Sequence, residues 1–572
     1  MLTLKGSQLF PGNSKVTSIS KESVKLNKDS LAIFFLGLII FTVSLQPEFI
    51  SLQARFALFA QEMLNNGPTF FPTIYNVPYP DYPATLTFLI YLFSLLFGKV
   101  TPFSTVFPTA FASALILVVT YKIGAIRSRK WGLLSVPFML STHLFFSESR
   151  VISLDQYVSL VTVLCFYIIY SADVFNKRKR LWFVPLLLVA GYSFRGPIGL
   201  IIPAAVVCSY YLWRMELRKL IVMSLIALGV MILCSVVLIA AADFQGGEEF
   251  VKKVINAQLM GRINQSNKSY LFYWFACLYS CAVGFPLVLV IAFANIKSII
   301  NKENDNYILI GCLLSWILIV LTGMSVPGTK HLRYVLPIVP ALSLISAYLF
   351  VDSSLKGILF ETKKVLLSVC YFLPLLATLV TLGFLFFGRN FDFPVDIHYV
   401  IALLLLIALT IVIRTQTQRL RNGFNRDIAM ITAAVTVFLI VNIGIAEPVS
   451  LTLECTRPFT EKMESLEKKQ QGRLVFYQIG PDAEDIKFMA NYDMSVKPVF
   501  IRKPDEIFKQ PLRTYYISRE RDFDNLPEEI AQRIQIEFHG KISHRDCVIF
   551  DRRLDYNEPD SPAYIFDALF GE

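Results

Sequence analysis

Long apolar runs alternate with short polar segments from Leu31 to about Ala446. The runs cover roughly 31–47, 103–122, 131–147, 154–171, 181–195, 198–213, 219–241, 270–296, 307–324, 334–350, 364–387, 398–413 and 428–446. Each is about long enough to cross the ~30 Å hydrocarbon core of a bilayer as a helix. The pattern therefore predicts an α-helical polytopic membrane protein with about 13 transmembrane helices. Residues 84–97, ATLTFLIYLFSLLF, fall short of a full span and read as an interfacial or re-entrant helix. After the last run the pattern changes. Strand-like stretches (473–478, 497–501, 514–518, 546–551) alternate with helical ones (DAEDIKFMAN, PEEIAQRI), predicting an α/β domain over 448–572.

Charge orients these elements. Leaving 84–97 out of the count puts YKIGAIRSRK (121–130), NKRKR (176–180), RMELRK (214–219) and RTQTQRLRNGFNR (414–426) on one side, the cytoplasmic one. Residues 1–30, with Lys5, Lys15, Lys21, Lys25 and Lys28, then form a cytoplasmic tail without an A-x-A cleavage site after Leu45. The membrane domain spans 31–447, and the C-terminal domain lies outside. The outer face also holds a loop at 48–83, the turn at 147–154, a loop at 243–269, and the segments 325–333 and 388–397.

Composition agrees. The 572 residues are 55% hydrophobic and 17% charged, whereas soluble proteins carry about a quarter charged residues. The net charge of +11 sits in the short loops, which argues for a bilayer partner and against nucleic acid. Seven of nine cysteines lie in apolar runs and read as small buried hydrophobes. Cys455 and Cys547 lie in the outer domain, where a disulfide could join them.

The outer face gathers the candidate chemistry. Residues 49–64 show helical apolar spacing beside Gln53, Arg55, Gln61 and Glu62, as in an amphipathic helix on the membrane surface. TIYNVPYPDYPA follows, an extended stretch with Tyr79, Asp81 and Tyr82. SESRVISLDQ places Glu148 and Arg150 in a turn and Asp155 at the start of a span. There a carboxylate must be paired or wet, or it caps its own helix. Arg195 stands at the end of one run, with Gly196-Pro197 breaking the helix before the next. A guanidinium beside freed N–H groups could form an anion site, or simply snorkel to the interface. Arg262, Lys268, Lys330, His331, Arg333 and Tyr334 add further groups. Several cations on the side that the positive-inside bias depletes suggest a pocket for a phosphate or diphosphate.

Five stretches in this order resemble the GT-C glycosyltransferases that use polyprenyl-phosphate sugars. The likeness is strongest to bacterial 4-amino-4-deoxy-L-arabinose transferases and looser to protein O-mannosyltransferases. ARFALFAQEMLNNG resembles R-Y-A…E-M-L-x-S-G, matching Arg55. VPYPDYPA resembles G-x-x-Y-F-E-K-P-P, matching Tyr79, Asp81 and Pro83. SRVISLDQYVSL resembles A-R-x-x-x-x-D-x-x-L, matching Arg150 and Asp155. FRGPIGLIIP resembles K-G-P-x-G-L-x-L-P, with Arg195 for Lys. TKHLRYVLPIVPAL resembles K-x-x-x-Y-x-L-P-x-x-P-A-L, matching Lys330 and Tyr334.

The resemblance implies a GT-C fold in the inner membrane with a periplasmic site. It also implies a polyprenyl-phosphate-linked sugar as donor and lipid A, another glycolipid or a protein as acceptor. Arg55, Arg262, Lys330 and Arg195, with Lys268, Arg333 and Tyr334, are the expected phosphate-binding groups. Asp155, then Asp81, is the expected base for a hydroxyl acceptor, and Tyr79, Tyr82, Arg150 and Glu148 are expected nearby. Two departures stand out. Leu52 and Gln53 replace an acidic pair of the family, so a divalent metal would have only Asp155 and Asp81 to hold it, and Tyr82 replaces a lysine. A transporter without chemistry is the reading of another class.

Overall fold

The computed structural model describes residues 27–50, 54–260, 269–352, 355–387, 396–420, 424–469, 472–481, 483–494 and 496–553. Leu52, Gln53, Arg262 and Lys268 fall outside them. The chain forms two compact units. One is built from residues up to Val43, Pro80–Leu86 and Val106–Gly444; the other from Ser44–Tyr79, Thr87–Thr105 and residues from Ile445 on.

The first unit is helical. Helix α1 (Lys28–Thr42) starts at Asn27, whose side chain accepts the Ser30 N–H at 2.9 Å. This satisfies one of the donors that a helix start leaves open. After α2 (Arg55–Asn66) and most of α3 (Thr85–Leu95), which belong to the other unit, comes α4 (Pro102–Ala125). Next are α5 (Arg129–Leu140), α6 (His143–Ser149), α7 (Leu154–Val174), α8 (Phe183–Arg195), α9 (Pro197–Trp213) and α10 (Leu217–Ile255). Helix α3, with 11 residues, has the short length expected of segment 84–97.

Among the described residues, eight helices are long and apolar enough to cross a membrane, or nine if one bent pair counts as a span. The expected thirteen is not reproduced, for identifiable reasons. The run 131–147 is interrupted at Ser141 and Thr142 into α5, of 12 residues, and α6, of 7. Helices α1 and α8, with 15 and 13 residues, rise only about 20 Å each at ~1.5 Å per residue. The run 270–296 is the bent pair, Phe272–Ser280 and Gly284–Ala294, turning by 111°. The loop expected at 243–269 begins as helix instead. Gly247 (φ 66°) kinks α10, and the helix resumes to Ile255 and a π-helical turn Asn256–Met260. Ion pairs one turn apart, Lys252 to Glu248 at 2.8 Å and Lys253 to Glu249 at 2.7 Å, support that second stretch.

Glycines let α8 and α9 cross in backbone contact. A Cβ on Gly191 would lie 2.2 Å from the Gly199 carbonyl oxygen, and one on Gly199 2.0 Å from that of Gly191. Between the helices, Gly196 adopts φ 61° and ψ −146°, and Pro197 opens α9. Proline tolerates that position because its missing N–H is one the first helical turn leaves unused.

The second unit carries the C-terminal sheet. Strands β1 (Thr73–Ile74) and β2 (Val77–Pro78) form a small antiparallel ribbon. Strands β3 (Arg473–Tyr477), β4 (Val499–Ile501), β5 (Thr514–Arg519), β6 (Ile534–Ile542) and β7 (Arg545–Arg552) form a sheet in the order β4-β3-β5-β7-β6. Its first three strands are parallel, and β7 runs antiparallel to β5 and β6. Val475, Tyr516, Val548 and Phe550 are fully buried in its core.

Two expectations are corrected here. The apolar face of α2 (Phe56, Ala57, Leu58, Phe59, Ala60, Met63) is buried in protein, against β1 and the helix Glu484–Asn491, rather than laid on a membrane surface. Phe49 N–H donates to Asn491 Oδ1 at 2.8 Å and Asn491 Nδ2 returns to the Phe49 carbonyl at 2.9 Å, while Tyr75 OH donates to Asp485 at 2.8 Å. Cys455 and Cys547 are free, not joined. Cys455 Sγ donates to Glu48 at 3.2 Å, and Cys547 is buried in β7.

Candidate active site

Asp155 is the second residue of α7. It does not cap the helix; Ser153 holds the cap position, and its hydroxyl turns outward to donate to Glu148 Oε2 at 2.6 Å. The Ser153 N–H is taken by Thr109 Oγ1 at 3.2 Å. The Asp155 carboxylate is thereby left for longer-range partners. Its Oδ1 lies 3.3 Å from Arg195 Nε and its Oδ2 3.2 Å from Arg333 Nε. Asp155 and Arg195 are nearly fully buried, whereas the Arg333 side chain stays 27% exposed.

The α8–α9 break positions Arg195. As the last residue of α8 it leaves the helix where Gly196 turns the chain, and its guanidinium enters between two rings. Tyr82 lies 5.2 Å and Tyr334 5.6 Å from the guanidinium carbon. A desolvated cation over an aromatic face is stabilised by about 2 kcal/mol. Tyr82 thus adds a ring against the cation. Gln258, on the π-helical turn after α10, donates Nε2 to the Asp81 carbonyl at 2.6 Å.

Glu148 belongs to the same charge cluster, beyond the turn role that the sequence suggests. Burial, with the nearby Asp155 carboxylate adding to it, pushes its carboxyl above the usual range, against the opposing pull of Ser153, Arg333 and Arg195. Two guanidiniums face one fully buried carboxylate and a second, reluctantly ionised one. The cluster keeps a positive surplus whenever Glu148 is protonated, and Arg333 is its open side.

The other expected residues are placed as follows. Lys330 is buried, with Nζ 5.2 Å from the Tyr270 ring centre. Arg150 donates to the Ile40 carbonyl at 2.8 Å, at the negative end of α1, and lies over Phe146. In the second unit, Arg55 donates to the Tyr79 hydroxyl and lies over that ring at 5.6 Å. Among the described residues, no three His, Cys, Asp or Glu side chains gather as a metal cage would need. The charge of Asp155 is met by Arg195 and Arg333. Gln258 and Ser153 escape sequence reasoning. The Ser-x-Asp spacing at the α7 start is the signal that could have marked Ser153.

Comparison with known proteins follows the same lines. Residues 81–240 match the family described as dolichyl-phosphate-mannose-protein mannosyltransferase. The undecaprenyl phosphate-α-4-amino-4-deoxy-L-arabinose arabinosyl transferase of Yersinia pestis is 26% identical over 342 residues, 57% of this chain and 60% of that one. Its counterpart in Yersinia enterocolitica is 27% identical over 316 residues, 53% and 55% of the two chains. The chain thus spans about 60% of the length of the curated relatives it matches. The crystal structure of ArnT from Cupriavidus metallidurans superposes with a TM-score of 0.66 at 13% identity, covering 91% of this chain and 97% of that one. The same protein bound to undecaprenyl phosphate gives 0.64 at 12%, covering 93% and 98%. The chain therefore has the fold of a polytopic GT-C membrane protein with a β-containing C-terminal domain, and in sequence it resembles the aminoarabinose transferases of that class.

Proposed function

We propose that the protein is a glycosyltransferase that moves a sugar, 4-amino-4-deoxy-L-arabinose or a relative, from a polyprenyl-phosphate donor to lipid A or another envelope glycolipid. It would work at the periplasmic face of a bacterial inner membrane, with the N-terminus cytoplasmic and the C-terminal domain outside. The observation that carries this reading is Asp155 set between Arg195 and Arg333 at 3.3 and 3.2 Å, on a chain with this fold.

In such a transfer the glycosidic C–O bond breaks and the lipid phosphate leaves. A phosphate is a weak base, so the site needs fixed positive charge more than a general acid. Arg333, the open cation, is the first partner for that charge, and Arg195 supports it from behind. Lys330, Arg262 and Lys268 are further candidates. Each Asp155 oxygen already faces a guanidinium, which favours an acceptor needing no base, such as a lipid A phosphate, over a Ser or Thr hydroxyl.

The test is release of undecaprenyl phosphate from undecaprenyl phosphate-aminoarabinose by purified protein, with lipid A or a Ser/Thr peptide as acceptor. Transfer to lipid A is the expected result. Failure with every lipid-linked sugar offered, alongside movement of intact lipid across vesicles, would establish a transporter instead.

A further inference from the structure

Gln258 is 5% exposed and sits in the first unit where three site segments meet. Its Nε2 donates to the Asp81 carbonyl at 2.6 Å. Because a carbonyl can only accept, this bond fixes which end of the amide carries nitrogen. The other end, Oε1, lies against Gly196, the residue after Arg195; a Cβ there would come within 2.6 Å of it. That oxygen is buried and has no hydrogen-bond partner among the described residues. Buried polar atoms are nearly always bonded, so an orphan held in a site marks the place of an absent donor.

The chemistry of that donor can be narrowed. A phosphodiester offers only acceptors, and would be repelled by a second acceptor. A prenyl chain offers nothing polar. Hydroxyl and ammonium groups on a sugar ring are donors, and a sugar is attached directly to the phosphate that Arg333 and Arg195 would receive. Gly196 keeps Gln258 one residue from Arg195, where a group linked to that phosphate would lie. We propose that Gln258 recognises the donor's sugar, its Oε1 accepting a hydrogen bond from a ring hydroxyl or ammonium while Nε2 stays on the Asp81 carbonyl. This rests on the transferase reading and adds a residue that selects the transferred group.

The experiment compares binding of undecaprenyl phosphate, with and without attached 4-amino-4-deoxy-L-arabinose or mannose, to full-length protein in detergent. Wild type should hold a glycosylated lipid more tightly than the bare one. In Gln258→Met the glycosylated lipid should weaken about tenfold, the scale of one hydrogen bond, with the bare lipid unchanged. A parallel loss for both lipids in Gln258→Met would make Gln258 a brace for Asp81 and overturn the proposal. Should Gln258→Met not fold, wild-type protein that binds donors lacking each sugar hydroxyl or ammonium in turn as tightly as the complete donor overturns it equally. A wild type that does not distinguish the lipids overturns the proposal alone, whereas the transferase reading falls only if no sugar is transferred from the lipid.

Discussion

Arg195 and Asp155 face each other from the last turn of α8 and the first of α7, Nε to Oδ1 3.3 Å apart, both almost wholly withdrawn from solvent. A buried pair of this kind is costly to break on one side only, because the survivor is left uncompensated by about 3–5 kcal/mol. Asp155→Asn should therefore lower the melting temperature of the detergent-solubilised protein markedly. Adding Arg195→Met should recover much of that loss without recovering transfer. If the double variant melts no higher than Asp155→Asn alone, the two residues are not an energetic pair.

Arg333 shares the same carboxylate but keeps solvent access. Its removal should cost little stability, about 1 kcal/mol or less as for partly exposed pairs. Donor affinity should suffer instead. Arg333→Met is expected to raise the KM for the lipid-linked sugar at least tenfold with a melting temperature close to wild type. A large thermal loss with unchanged KM would reverse these assignments.

Glu148 gives the cluster a pH response. Its carboxyl lies above the usual range because it is buried beside Asp155, with Ser153, Arg333 and Arg195 pulling the other way. When it ionises as pH rises, it adds negative charge where an anionic lipid would bind. Binding of undecaprenyl phosphate should thus weaken as pH climbs through the Glu148 transition. Glu148→Gln should flatten that profile, as read by binding titrations across a pH series. A slope of the same size in the variant would assign it to another group.

In the C-terminal sheet, burial, with Glu537 adding to it, pushes the Asp551 carboxyl up to about 6. The folded state therefore favours the protonated form, and stability falls as pH rises from the ordinary carboxylate range to about 6. The group's contribution is present below the ordinary carboxylate range and lost as pH rises through 6. Asp551→Asn should protect strand β7 from hydrogen exchange at pH 7.5, with the advantage fading as pH falls towards 4.

Much of this was legible because charge is scarce in apolar runs. Asp155, Arg195 and Arg333 are conspicuous where a bilayer tolerates only compensated ions. Which partner compensates which was not legible. Asp155 pairs with Arg195, forty positions away, and not with Arg150, whose guanidinium bonds the Ile40 carbonyl. That choice depends on how α7 crosses α8, which no local pattern records. In the sheet, β3, β5 and β7 showed as compact apolar runs. Strand β6 did not, because most of its side chains are only partly buried or exposed and its pairing shifts register at Ile536/Phe538. The kink at Gly247 was hidden for a related reason: a glycine pair reads as the end of a helix, and the helix resumes beyond it.

The bond between Phe49 and Asn491 joins residues 442 positions apart. At about 5–20 residues per second, roughly 20–90 seconds of synthesis separate them on the ribosome. Until Asn491 and its helix emerge, the apolar face of α2 has β1 on one part of it and lacks the cover of that helix. The N-terminal loop is thus a late-folding element that must be kept from wrong partners throughout membrane insertion. Ribosome-bound chains halted short of residue 491 should leave α2 open to protease.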